Sequence, residues 1–218
     1  FNGFFYSFIL NGHINILEGY SMMPFAFLFA YKALTKKEFI LYSIIAGIFL
    51  ALQILAGAVI FFLYTILSIL LLFLFNLLRK DFRKVIVKTI LVALLVLIVS
   101  VAVSSIKLLP SLEFSKMSNR ALGVSKTEFL GSPIKFSNIF GILISNIGFE
   151  GLSASIGVMG FVFLLFGFKS YKKRIVFFCI LLAVFSILAA SGTFVADLLY
   201  KLPGFGQIRH IERALVLF

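Results

Sequence analysis

Between Glu38 and Arg79 the chain runs for about 40 residues without one charged side chain. A helix crosses the hydrocarbon core of a bilayer in roughly 20 residues, so this stretch is two crossings long. It therefore predicts two antiparallel membrane helices, with the turn at its weakest points, Gln53 and Ala56-Gly57. The rest of the chain has the same character: 62% of residues are hydrophobic, 13% are charged and the mean hydropathy is +1.16. A soluble domain is nearer half apolar and a quarter charged, and a disordered chain is far more polar. Lipid must be the solvent for much of this surface, which predicts an all-α, polytopic transmembrane helix bundle.

Further apolar runs are Phe1–Leu10, Gly19–Leu34 with Pro24 inside it, Val85–Ile106, Ser155–Phe168 and Ile175–Ala190. A final helix starts near Ala214, giving about six to eight membrane segments in one transmembrane domain spanning residues 1–218. The chain starts at Phe1 and stops within the apolar run Ala214–Phe218, so both ends read as cuts in a longer protein.

The formal charge is +12. Nucleic acid is not the expected partner, because the bases stand in short clusters between apolar spans. Three loops are basic: Lys32, Lys36 and Lys37; Arg79, Lys80, Arg83, Lys84 and Lys88; and Lys169, Lys172, Lys173 and Arg174. They hold 12 of the 20 bases against two acids, Glu38 and Asp81. Under the positive-inside rule these loops are cytoplasmic. The alternate segments, Asn11–Glu18, the turn near Gly57, Lys107–Ala154 and Ser191–Glu212, are then extracytoplasmic. That side receives six of the eight acids (Glu18, Glu113, Glu128, Glu150, Asp197 and Glu212) and both histidines, His13 and His210. Any site is expected there.

Within residues 107–154, Ser132-Pro133 reads as a helix N-cap followed by proline at the first helical position. Ile134, Ile139, Leu143 and Ile147 then fit an amphipathic helix in the membrane interface, which either packs on the bundle or borders a lipid-substrate groove. Glu113 and Arg120 lie two helical turns apart and either pair with each other or leave Arg120 to hold a phosphate. Within residues 191–212, Pro203-Gly204 signals a turn. Arg209, His210, Glu212 and Arg213 then crowd at a helix entrance, either as interfacial anchors or as a site for an anionic headgroup or diphosphate. His13 and Glu18 are structural, or contact a substrate or carry protons. Gln53 reads as an interhelical hydrogen-bonding residue. The lone Cys179 reads as a buried or lipid-facing small residue. No metal, P-loop or dinucleotide motif is present, and Gly204-Phe-Gly206 is too short for a phosphate loop.

The order Gly12-His13, Glu18-Gly19-Tyr20, Pro24, Ala51-Leu-Gln-Ile-Leu-Ala-Gly57 and Tyr64 resembles the bacterial YfhO-like membrane proteins. Leu108-Leu-Pro-Ser-Leu-Glu113, Ser118-Asn-Arg120, Pro203-Gly-Phe205, Ile208-Arg209 and Arg213 extend the resemblance along nearly the whole chain. That family is similar to the wider GT-C-fold glycosyltransferases. The resemblance implies an enzyme of the plasma membrane that takes a sugar from a polyprenyl-phosphate carrier and transfers it, at the extracytoplasmic face, to a cell-envelope polymer, lipid or protein. It implies that the catalytic carboxylate lies in an outer loop before Phe1, so that this piece alone is inactive. Arg120, Arg209, His210 and Arg213 would then serve phosphate binding, and His13, Glu18 and Glu113 sugar contacts or local structure. A divalent metal is compatible with such chemistry, but no ligand set stands out. The alternatives are a transporter or flippase for a lipid-linked or anionic substrate and a non-catalytic membrane assembly protein.

Overall fold

The structure is a computed structural model that describes residues 9–10, 12–78, 82–117, 123–131, 133, 148–149, 152–153, 173–209 and 211–217. The helices are α1 (Ile14–Thr35), α2 (Phe39–Ala56), α3 (Val59–Leu77), α4 (Phe82–Met117), α5 (Lys126–Leu130), α6 (Arg174–Ala190) and α7 (Phe194–Tyr200). Short 3-10 turns follow at Phe205–Gln207 and Ile211–Leu217. The described strands are the two-residue segments Gly148–Phe149 and Leu152–Ser153, paired antiparallel. The chain divides into two compact units, Glu18–Ala121 and a second made of Phe1–Leu17 with Leu122–Phe218.

Among the described residues, three helical segments are long and apolar enough to cross a membrane: Phe39–Ala56, Val59–Leu77 and Val85–Phe114. A fourth follows if α6 and α7, bent by 85° at a short break, count as one. The chain is a helical membrane protein. The expected span Ser155–Phe168 and the amphipathic stretch after Ser132 lie outside the described residues.

In the first unit the turn falls where the sequence weakens. Gly57 caps α2 in the left-handed conformation (φ 82°) and its N–H reaches back to the carbonyls of Gln53 and Ile54. Two boundaries differ from expectation. Residues 14–18 belong to α1 rather than to a loop, and the polar Asn15, Glu18 and Lys32 leave α1 outside the three apolar spans. More consequentially, α4 does not stop near Ile106 but continues to Met117, through the start of the expected outer segment. Pro110 removes a single N–H, the one that would reach the carbonyl of Ile106, and the helix is kept on either side of it.

Two lysines of α4 reach the two ends of α2. Lys88 Nζ donates to the Lys36 carbonyl (2.8 Å), just before α2. Lys107 Nζ donates to the Leu55 carbonyl (2.7 Å), in the last turn of α2 at the other end. Along the helix these lysines are about 28 Å apart, close to the ~30 Å of bilayer hydrocarbon. Between them, Ile90, Leu94, Leu97, Ile98 and Val101 are exposed while Thr89, Val92, Val96, Ser100 and Ser104 are buried. The apolar side faces out and the small and polar side faces in, the reverse of a soluble helix.

The inward face of α4 packs on α2, where Ser43, Ala46, Gly47 and Leu50 are buried, across the largest helix–helix interface among the described residues. A Cβ placed on Gly47 would stand 2.9 Å from the Val96 carbonyl oxygen and 2.8 Å from Val99 Cβ, so a hydrogen there is what lets the backbones cross. Gly19 serves α1 likewise, since a Cβ there would overlap Ala58. Gln53, fully buried, joins three helices: its Nε2 donates to the Gly19 carbonyl (2.8 Å) and to Thr65 Oγ1 (3.0 Å). Its Oε1 is buried with no hydrogen-bond partner among the described residues. Gln53→Leu therefore loses two bonds but also removes a desolvated oxygen. Its expected cost is only about 1 kcal/mol, measured by reversible unfolding in detergent micelles. A loss several times larger would mean that Oε1 also has a partner.

Candidate functional site

The polar residues of the second unit are organised by a strap, residues 123–131, laid against α7 and the turn after it. The sequence Ser125-Lys-Thr-Glu128 is a capping box in outline: the Ser125 hydroxyl accepts from the Glu128 N–H (3.2 Å) and starts α5. Val124 N–H donates to the Gly206 carbonyl (2.8 Å), and Tyr200 Oη donates to the Val124 carbonyl (2.8 Å). Gly123 enters this seam at φ 87°, where a Cβ would come within 3.1 Å of the Gly206 carbonyl oxygen. Phe129 is fully buried, with its ring centroid 5.1 Å from that of Tyr200. The Pro203-Gly204 turn forms as expected, with Gly204 at φ 85° leading into Phe205–Gln207.

Two ion pairs flank the strap. Lys126 Nζ is 2.8 Å from Asp197 Oδ1 of α7, and Arg209 Nη2 donates to Glu128 Oε1 at 3.2 Å. Lys126 and Glu128 are two residues apart on a helix, about 200° around it, so the pairs grip opposite sides. All four side chains are roughly half exposed. Water therefore screens these pairs, and each contributes about 0–1 kcal/mol. A double-mutant cycle on Arg209→Ala and Glu128→Ala, read by thermal unfolding, is expected to give a coupling below about 1 kcal/mol. Such a pair is open to exchange, since a stronger anion can take Arg209 from Glu128 at little cost.

The strap also covers the break between α6 and α7. Positions 191–193 turn the chain with Gly192 at φ 68°, and a Cβ on Gly192 would lie 3.0 Å from Pro133 Cβ and 3.7 Å from Leu130 Cδ2. The hydroxyls of Ser191 and Thr193 turn back to the carbonyls of Ile187 and Leu188 (2.8 and 2.7 Å), closing the end of α6. Beyond the bend α7 buries Val195, Ala196 and Leu199 and exposes Phe194 and Leu198.

Of the residues singled out from sequence, Arg209 is in the seam, paired with Glu128. Arg213 is half-buried in the turn Ile211–Leu217, between buried Ile211 and Ala214. Arg120 and His210 lie outside the described residues, as does the side chain of Glu212. His13 is exposed just before α1, where its carbonyl accepts from the N–H groups of Ile16 and Leu17 (3.2 and 3.3 Å). Glu18 and Glu113, in the other unit, are exposed. Cys179 is exposed on α6, the lipid-facing alternative. Lys126, Glu128, Asp197 and Tyr200 complete the seam; the capping-box spacing from Ser125 was the available signal for the first two. Among the described residues, no three His, Cys, Asp or Glu side chains gather in a way that could hold a metal ion. Comparison with protein-family models, curated proteins and solved structures gives no match.

Proposed function

We propose that this chain is the membrane-embedded, donor-handling part of a GT-C-type, YfhO-like glycosyltransferase that takes a sugar from a polyprenyl-phosphate carrier at the extracytoplasmic face of the plasma membrane. The full bundle in this reading has about six to eight segments. One observation carries the proposal: Gly123–Gly131 and Phe194–Arg209, far apart in sequence and both on the outer side by the positive-inside rule, are joined through Val124 and Gly206. The joint sets Arg209 and Lys126 beside carboxylates that a phosphate group can displace. A guanidinium fork suits a departing lipid phosphate, whose charge grows as the glycosidic bond breaks. Arg213 supports Arg209 from the following turn in this reading, while Arg120 and His210, expected from the sequence to bind phosphate, lie outside the described residues.

The test is turnover of polyprenyl-phosphate sugars by the full-length protein in membranes. Arg209→Ala is expected to lower turnover about tenfold, since a charge-assisted hydrogen bond contributes roughly 1.5 kcal/mol or more. Arg209→Lys should recover part of it, whereas Lys201→Ala, a control outside the ion pairs, should leave it unchanged. Wild-type protein that turns over none of several lipid-linked donors would remove the enzyme reading.

A transporter or flippase is the second reading, and the 85° break between α6 and α7 favours it. Interrupted helices line substrate sites in many transporters. Substrate-dependent flux across proteoliposomes without bond cleavage would decide for it.

A further inference from the structure

We propose that the basic end of the Glu18–Ala121 unit is a docking surface for anionic phospholipid, with the first turns of α2 at its centre. The inference is independent of the catalytic reading. Lys32 comes from the end of α1 and holds its Nζ 5.2 Å from the Phe29 ring centroid and 5.8 Å from that of Tyr42. Lys88 comes from α4, with its Nζ 5.9 Å from the Phe39 ring centroid and 2.8 Å from the Lys36 carbonyl. Phe39 and Tyr42 are three apart on α2, so two lysines from different helices stand beside the same helical turn. Lys36 and Lys37 are exposed next to them, and Glu38 is the one acid among the described residues at this end.

The chemistry immediately below is that of acyl chains. Ile40, Leu41 and Ile44 of α2 are exposed, as are Val87, Ile90 and Leu91 around Lys88. Basic groups fixed on aromatic rings thus pass within two helical turns into a bare aliphatic surface. A phospholipid has the same two-part construction: phosphate at the interface, hydrocarbon beneath it. The aromatic rings hold the lysine stems at that level, so a bound phosphate meets cations that need little further ordering. A soluble polyanion would match the lysines and leave the aliphatic surface unused, so the occupant is a lipid.

The full chain is reconstituted in phosphatidylcholine, alone or mixed with phosphatidylglycerol, and the lipids retained after gentle detergent extraction are identified by native mass spectrometry. Phosphatidylglycerol should be retained in preference to phosphatidylcholine, and excess inorganic phosphate should not displace it. Each basic side chain near an anionic lipid surface contributes about a fivefold factor, so Lys36→Gln with Lys37→Gln should lower the preference more than tenfold. Both lysines are exposed, so this variant keeps the fold; adding Lys88→Gln should lower the preference further. Removing a charge elsewhere, with Lys201→Gln, should leave it intact. Equal retention of the two lipids, displacement by inorganic phosphate, or equal loss in the control variant would each overturn the proposal.

Discussion

Phe129→Ala is expected to release the strap from α7 and the turn after it, while removal of either ion pair beside it leaves the strap seated. Phe129 is fully buried against Tyr200. Truncating a buried phenylalanine costs about 3–5 kcal/mol in lost transfer energy and residual cavity. The competing contributions are smaller. Each half-exposed ion pair contributes about 0–1 kcal/mol and each neutral hydrogen bond about 1 kcal/mol. The Val124–Gly206 and Tyr200–Val124 bonds therefore fix the register of the strap, but the phenylalanine holds it down. Amide hydrogen exchange of residues 123–131 reads this directly. Protection in Phe129→Ala should fall by roughly two orders of magnitude or more, and in Lys126→Ala by less than tenfold. If Lys126→Ala or Arg209→Ala opens the strap as fully as Phe129→Ala does, the pairs are strong and Arg209 is not open to exchange with a phosphate. The result thus bears on the proposed donor site as well as on stability.

Hydropathy revealed the helical class, the paired crossings on either side of Gly57 and the helix at Arg174–Ala190, because each depends on how many apolar residues stand in a row. It misplaced the ends of α1 and α4, and for one reason: hydropathy reports where the membrane stops, whereas a helix stops where its hydrogen bonds do. Leu108–Met117 contains Pro110 and polar residues, so it reads as loop. Yet proline costs one N–H, and the helix can continue past it once out of the bilayer. Lys107 shows the distinction. It reads as the end of an apolar run, but it sits inside a helix and caps the last turn of a neighbour through the Leu55 carbonyl. The seam was half legible. Arg209 stood out as one of several charges clustered in sequence, but its partner Glu128 lies 81 residues away, a separation that no local pattern reports. The Ser125–Glu128 spacing was readable as a helix start, and it would have marked this short helix ahead of the one expected after Ser132.

Gly47→Leu is expected to leave the chain inserted in the membrane but to separate α2 from α4. The two processes have different causes. Insertion follows apolar content, which leucine increases; packing between inserted helices has no hydrophobic contribution and depends on close van der Waals approach. At Gly47 a new Cβ would stand 2.8 Å from the Val99 Cβ and 2.9 Å from the backbone carbonyl oxygen of Val96. A flexible side chain could swing away, but a helix carbonyl cannot move without the helix. Overpacking by a methyl group costs about 1–3 kcal/mol, and the larger leucine should reach or exceed the top of that range. Gly47→Ala should therefore fall within it and Gly47→Leu beyond, in order of side-chain size. Alkali-resistant membrane retention measures insertion, and reversible unfolding in detergent micelles measures packing. The expected pattern is full retention of both variants with a graded loss of unfolding free energy. Wild-type stability of Gly47→Leu would mean that α2 and α4 do not cross at Gly47. Loss of retention would mean that assembly of these helices precedes their insertion. The crossing also sets how Lys88 and Lys107 reach the two ends of α2, so a variant that opens it should weaken anionic-lipid retention without any change in charge.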